Sequence, residues 1–170
     1  MTSALGLAET NVPMPTNLLM NPPFVQHIDH VVFRVINLER SVAFYESVLG
    51  CKVAKRRDEL GLIHLRAGSS MLDLVSVDGK LGQAGGRAPA LEGRNMDHLC
   101  LRIEPFDETT LLAHLIQHGV EVRGPATENF GAEGVGPSLY FSDPDGNVIE
   151  LKGPAQEPQI HQTGGSSDAD

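Results

Sequence analysis

Two short segments of this chain carry the same pair of reactive side chain types at the same place. Asp29-His30-Val31-Val32-Phe33-Arg34-Val35 matches Asp97-His98-Leu99-Cys100-Leu101-Arg102-Ile103, each with Asp-His at its start and Arg four residues after the His. Each is followed further on by a carboxylate in an apolar run, Met71-Leu72-Asp73-Leu74 and Val148-Ile149-Glu150-Leu151. Strand side chains alternate between faces, so His30, Val32 and Arg34 share one face, and His98, Cys100 and Arg102 share another. By the same alternation Asp73 lies with Met71 and Val75, and Glu150 with Val148 and Lys152. If the sheets curve into a cup, two imidazoles and two carboxylates converge in an otherwise apolar interior. Such groups are costly to bury unless they are paired or metal-bound. Together they balance a divalent ion and suit Zn, Ni, Co, Mn or Fe(II) better than Ca or Mg. A single strand histidine is more often an ordinary core or surface residue. Its repetition, with a carboxylate following each time, is what favours a metal.

The elements that would position these groups repeat as well. After the first run, Leu38, Val42, Tyr45 and Leu49 recur at helical spacing, Asn37 can cap the start and Gly50 can close the end. After the second, Asp107 can cap, Leu111, Leu112, Leu115 and Ile116 form the stripe, and Gly119 closes. Each helix leads to another short run, at Val53 in one half and over 120–122 in the other. A hairpin is expected around Glu59-Leu60-Gly61, and Asp143-Pro144-Asp145-Gly146-Asn147 is a strong turn signal before the final strand. Each half reads as strand, helix, then two or three strands.

The expected fold is therefore α+β, two βαβββ modules forming a curved sheet or cup over residues 25–153. Module one spans 25–79 and module two 96–153. The linker, 80–95, is marked by its Gly, Ala and Pro content. Residues 1–24, with four prolines and no periodicity, read as an N-terminal extension, and 154–170 as a flexible tail. A net charge of -9 over 170 residues argues against nucleic acid and against an anionic membrane surface. Two cysteines are too few for a disulfide scaffold and fit a reducing compartment. The N-terminus shows neither a basic nor a continuous apolar segment of a signal peptide, and no apolar run reaches membrane-spanning length. The expected location is the cytoplasm.

Residues 30–50, HVVFRVINLERSVAFYESVLG, and 141–151, FSDPDGNVIEL, resemble the first strand and helix and the last hairpin of the vicinal oxygen chelate superfamily. That superfamily includes glyoxalase I, methylmalonyl-CoA epimerase, fosfomycin-resistance thiol transferases and extradiol dioxygenases. The resemblance covers roughly 27–153 and is nearest to small bacterial glyoxalase-like, virulence-associated members. By position it implies His30, Asp73, His98 and Glu150 as ligands of one divalent transition metal. Asp73 departs from the family's Glu or Gln and is shorter by one methylene, about 1.5 Å of reach. It can coordinate after a small backbone shift, bind through water, or leave the three-ligand set His30, His98 and Glu150. Arg34 and Arg94 fall where glyoxalase I holds its substrate, Val77 replaces a helping Asn, and a Gly-rich stretch over 129–136 replaces a basic loop. Tyr140, sharing a face with Ser138 and Ser142, is a further candidate substrate contact.

The activity this resemblance implies is a lyase or isomerase that chelates vicinal oxygens and moves a proton next to a carbonyl, with Glu150 as the base. The substrate is a small carbonyl compound or thiol adduct. The alternatives are an Fe(II) dioxygenase, then a fosfomycin-type thiol transferase, then a protein that sequesters a ligand without catalysis. Members with two modules commonly form homodimers, and some build each metal site from both chains.

Overall fold

The computed structural model of the protein describes residues 25–90 and 92–156. The extension expected over 1–24 and most of the expected tail lie outside them. Strand β1 (His30–Val35) leads to helix α1 (Leu38–Leu49), then β2 (Lys52–Arg57), β3 (Leu62–Ala67) and β4 (Ser70–Ser76). The second half repeats this with β5 (His98–Arg102), α2 (Glu108–Gln117), β6 (Thr127–Gly131), β7 (Gly134–Ser142) and β8 (Val148–Lys152). The chain is α+β, two βαβββ modules with a four-stranded sheet each, ordered β1-β4-β3-β2 and β5-β8-β7-β6.

The modules match in register as well as in order. β1 runs parallel to β4 with His30 opposite Met71 and Val32 opposite Asp73, and β5 runs parallel to β8 with His98 opposite Val148 and Cys100 opposite Glu150. In both, the carboxylate therefore stands one strand over and two residues along from the histidine. The helix caps form as the residue types demand. The Asn37 side chain accepts from the Arg40 amide at 3.0 Å, that of Asp107 accepts from the Thr110 amide at 2.8 Å, and Gly50 closes α1 at φ 67°.

One expected strand is displaced. The run over 120–122 contributes only an isolated bridge, Val122 to Phe141, and the strand that matches β2 begins at Thr127. Gly124 and Pro125 explain the shift: Gly124 adopts φ 90°, and proline brings no amide proton to a ladder, so pairing resumes only beyond them.

One apolar core unites the halves. Phe33 and Val35 of β1, Val42 and Tyr45 of α1, Leu115 of α2, Leu139 and Phe141 of β7, and Ile149 of β8 belong to the same buried cluster. These are the residues of each strand that alternate with the histidines and carboxylates. The helix-facing sides of both sheets are thus buried together, and the faces bearing His30 and His98 point away from that core.

The turn over 143–147 does more than reverse the chain. Asp143 accepts from the amides of Asp145 and Asn147, from the Asn147 side chain, and from the Tyr45 hydroxyl at 2.8 Å. Asp145 accepts from the Ile36 amide at 2.9 Å and from the Ser41 hydroxyl at 3.0 Å, at the N-terminal end of α1. This turn is a buried polar joint between the modules. Among the described residues no helix is long and apolar enough to cross a membrane.

Candidate metal centre

In module two the sequence-predicted residues meet. His98 Nε2 lies 2.9 Å from Glu150 Oε2, while His98 Nδ1 lies 2.7 Å from Asp97 Oδ2. The Tyr140 and His98 rings meet edge to face with centroids 5.7 Å apart, and Asn129 donates to the Tyr140 hydroxyl at 3.2 Å. Glu150 is buried and directly opposite Tyr140 in the β7–β8 ladder. Burial alone would raise its carboxyl. The polar groups of Ser138, Tyr140 and Cys100 and the His98 ring outweigh that and hold it below its ordinary value. The Ser138 hydroxyl, wholly buried, has no partner at hydrogen-bond geometry, so it acts on Glu150 as a nearby dipole. Burial first, then the Glu150 charge, push the Tyr140 phenol to about 12 and the Cys100 thiol to about 11. Both therefore keep their protons at neutral pH.

Of these groups His98, Cys100 and Glu150 open on a cavity of about 330 Å³. His98, Cys100, Glu150 and Lys152 line its floor and Glu133 its rim. Glu133, in the β6–β7 turn, pairs with Arg102 at 2.8 Å and so ties the hairpin tip across the cavity. Lys152, buried, donates to the Asn129 carbonyl and to that of Gly136 at 3.0 Å, which holds the hairpin's base. A larger hollow of about 650 Å³ lies elsewhere, bordered by Phe44, His118, Glu121 and Arg123, and none of the four predicted ligands lines it.

Module one is built on the same register with a different outcome. His30, half exposed at the start of β1, holds Nδ1 2.7 Å from Asp29 Oδ1. That hydrogen bond raises its pKa, which means protons compete with any metal for the imidazole. Asp73 Oδ2 lies 2.9 Å from Nδ1 of His64, and Asp73 Oδ1 is buried with no partner. His64 stands opposite Asp73 in the β3–β4 ladder. Strand alternation by itself does not fix which face of β3 carries His64. The decisive signal was the Gly68-Ser69 turn, which sets Ala67 opposite Ser70 and hence His64 opposite Asp73.

The two expected arginines bond to neither pair. Arg34 donates to the carbonyls of Gly82, Gly85, Gly86 and Arg87 at 2.6–3.0 Å. Glycine is required there, since a Cβ at Gly85 would sit 2.6 Å from Arg34 Cζ and one at Gly82 would overlap the Ser76 carbonyl. The linker's composition reflects close packing. Arg94 donates to the Asn147 side chain at 3.0 Å and to the Asp145 carbonyl at 2.9 Å. Both border a smaller cavity of about 230 Å³ beside Val32 and Met96.

The donor set fits a divalent metal. Two ligands at about 2.1 Å from one ion stand about 3.0–3.4 Å apart, between right-angled and tetrahedral arrangements, close to the spacing of His98 Nε2 and Glu150 Oε2. Both imidazoles have Nδ1 tied to an aspartate, the usual outer support of a ligating histidine. The orphaned Asp73 oxygen marks the other half as electrostatically unfinished. Among the described residues, however, no three such groups stand close enough together to hold an ion. Each module presents two of the four candidate ligands.

Residues 27–151 match the family model of the Glyoxalase/Bleomycin resistance protein/Dioxygenase superfamily, and the chain belongs to that superfamily. Its members are for the most part metal-dependent enzymes that act on small molecules. The chain is 29% identical to catechol-2,3-dioxygenase of Bacillus subtilis (strain 168) over 126 residues, 74% of this chain and 40% of that protein. It thus spans well under half of that relative. It is 27% identical to virulence protein STM3117 of Salmonella typhimurium over 75% of this chain and 83% of that one. The crystal structure of STM3117 superposes with a TM-score of 0.64 at 23% identity, covering 78% of this chain and all of that one. A structure of the fosfomycin resistance protein FosX from Listeria monocytogenes, complexed with Mn(II) and a dihydroxypropylphosphonic acid, superposes with a TM-score of 0.58. It is 17% identical and covers 79% of this chain and 94% of that one, a likeness of fold.

Proposed function

We propose that this protein is a metal-dependent lyase or isomerase of the glyoxalase type, acting on a small carbonyl compound or thiol adduct with vicinal oxygens. The observation that carries the reading is the His98–Glu150 pair at 2.9 Å on the floor of a cavity, with His30 and Asp73 in the same register of the other module. A divalent transition metal bound there supplies Lewis acidity to the chelated oxygens. Glu150 takes the proton beside the carbonyl: it is ionised and buried, and Tyr140, still protonated, donates a hydrogen bond to the substrate's developing charge. Arg102 and Glu133 hold the hairpin over the cavity and exclude water. Arg34 and Arg94 form the rim of the module-one face, and contact with a substrate carboxylate there requires exchanging their present carbonyl bonds.

The complete site forms between two copies in a homodimer. The two half-sites lie on faces turned away from the shared core, so a second chain can bring its His98 and Glu150 against the His30 face of the first. That face leaves Val32 48% exposed, apolar surface that such a contact would cover. A second reading, an Fe(II) dioxygenase using His30, His98 and Glu150, is favoured by the similarity to catechol-2,3-dioxygenase. No nucleic acid or membrane partner is part of either reading, and both place the protein in the cytoplasm.

The test is elemental analysis of untagged protein beside His98→Ala, with sedimentation to give the mass. About one transition metal per chain in a dimer, lost in the variant, is expected. Ni, Zn, Co or Mn with proton exchange at a carbon next to a carbonyl supports the first reading. Oxygen-sensitive Fe(II) with oxygen uptake on a catechol supports the second. No metal, even after reconstitution, overturns both.

A further inference from the structure

Every histidine on the two metal-facing strand faces has its Nδ1 against an aspartate. His30 faces Asp29 at 2.7 Å, His98 faces Asp97 at 2.7 Å, and His64 faces Asp73 at 2.9 Å. A carboxylate beside one ring nitrogen favours the tautomer with the proton on that nitrogen, which leaves the lone pair on Nε2. His64 therefore presents the same free donor atom as His30. It is also the more accessible of the two. Asp73 is buried, and its second oxygen is closed off from solvent, whereas the His64 side chain is a quarter exposed. An imidazole Nε2 reaches about 1 Å further from the backbone than an aspartate oxygen, roughly as far as a glutamate would.

Building on the metal-dependent reading above, we infer that His64, and not Asp73, supplies the second ligand of module one, with Asp73 as the carboxylate that orients it. The metal is then held by His30, His64, His98 and Glu150, three imidazoles and one carboxylate. The shorter carboxylate at 73 suits this arrangement, since it reaches His64 Nδ1 at 2.9 Å from the opposite ladder position. His64 also takes, in module one, the ladder position that Tyr140 holds in module two, opposite the carboxylate of the next strand. The two modules have put different chemistry at one equivalent place.

The experiment is a count of coordinated imidazoles by pulsed electron paramagnetic resonance on protein loaded with one equivalent of Cu²⁺. A His118→Ala background removes the surface pair of His114 and His118, whose rings stack at 4.3 Å, as a competing site. Three imidazoles are expected. His64→Ala and His64→Gln should each show two and raise the metal dissociation constant at least tenfold, whereas Asp73→Asn should keep three with a smaller loss. Far-UV circular dichroism verifies that each variant folds, and the count in protein with His64 intact decides the matter without them. Two imidazoles there, unchanged in the His64 variants while Asp73→Asn carries the affinity loss, overturn the inference and leave the metal-dependent reading standing. Failure to bind any metal overturns both.

Discussion

The two modules share a motif, a register and a cap at each helix, yet the same letters do different things in each. Arg34 and Arg102 both stand four residues beyond the histidine of their strand. The first is wrapped by four backbone carbonyls of the linker, while the second pairs with the exposed carboxylates of Glu104 and Glu133. Asp73 and Glu150 occupy equivalent ladder positions, yet only the longer side chain touches the histidine of the neighbouring parallel strand. A duplicated frame conserves placement, and one methylene or one adjoining loop then decides use. Module two sets its carboxylate against the histidine of its own first strand, under a hairpin, and module one sets its carboxylate against a histidine of the adjoining antiparallel strand.

The strongest test of that contrast removes the proposed base. Glu150→Gln should lower turnover on the order of 10²–10⁴-fold, the usual contribution of a positioned base, while Asp73→Asn lowers it about tenfold or less. Equal losses in steady-state kinetics would show that the halves contribute alike.

Next in size is the joint that makes the comparison possible. Asp143→Ala leaves the buried Tyr45 hydroxyl and the donors of the 143–147 turn without their acceptor, and should cost about 3 kcal/mol in urea unfolding. Asp143→Asn, which keeps an acceptor, should cost less. The arginines give a smaller and more direct contrast: Arg34→Ala should cost about 2 kcal/mol because several carbonyls lose their donor together, and Arg102→Ala less than about 1 kcal/mol. Similar melting temperatures for the two variants would sink the assignment of Arg34 to the linker.

The smallest effect reads the charge of the module-two site. With the Cys100 thiol at about 11, alkylation by iodoacetamide should be slow at pH 8 and rise as pH climbs through about 11, since only the thiolate reacts. In Glu150→Gln the rise should move to lower pH, because one of the two causes of the shift is gone while burial remains. An unmoved profile would mean that Glu150 is not ionised beside Cys100.

Much of this architecture follows from local chemistry. The repeat, the caps at Asn37 and Asp107, the closing glycines and the alternation along each strand were legible because each depends on a few neighbouring residues. The family followed from the repeat and the resemblance, which also proposed His30, Asp73, His98 and Glu150 as ligands. Other features depend on contacts between segments far apart in the chain. The glycines of 80–95 read as a linker by composition, and only the passage of that segment over β4 and Arg34 shows why side chains are excluded there. The turn over 143–147 was plain, but its grip on Ile36, Ser41 and Tyr45 spans about a hundred residues.

By itself the sequence determined the modules, their order and which side chains face together, since strand alternation and helix periodicity are properties of a single segment. Tertiary structure alone decided that the two helix-lined faces share one core and that the histidine faces point outward from it. It also set His64 against Asp73, because opposition across a ladder depends on the register fixed by the turn between the strands.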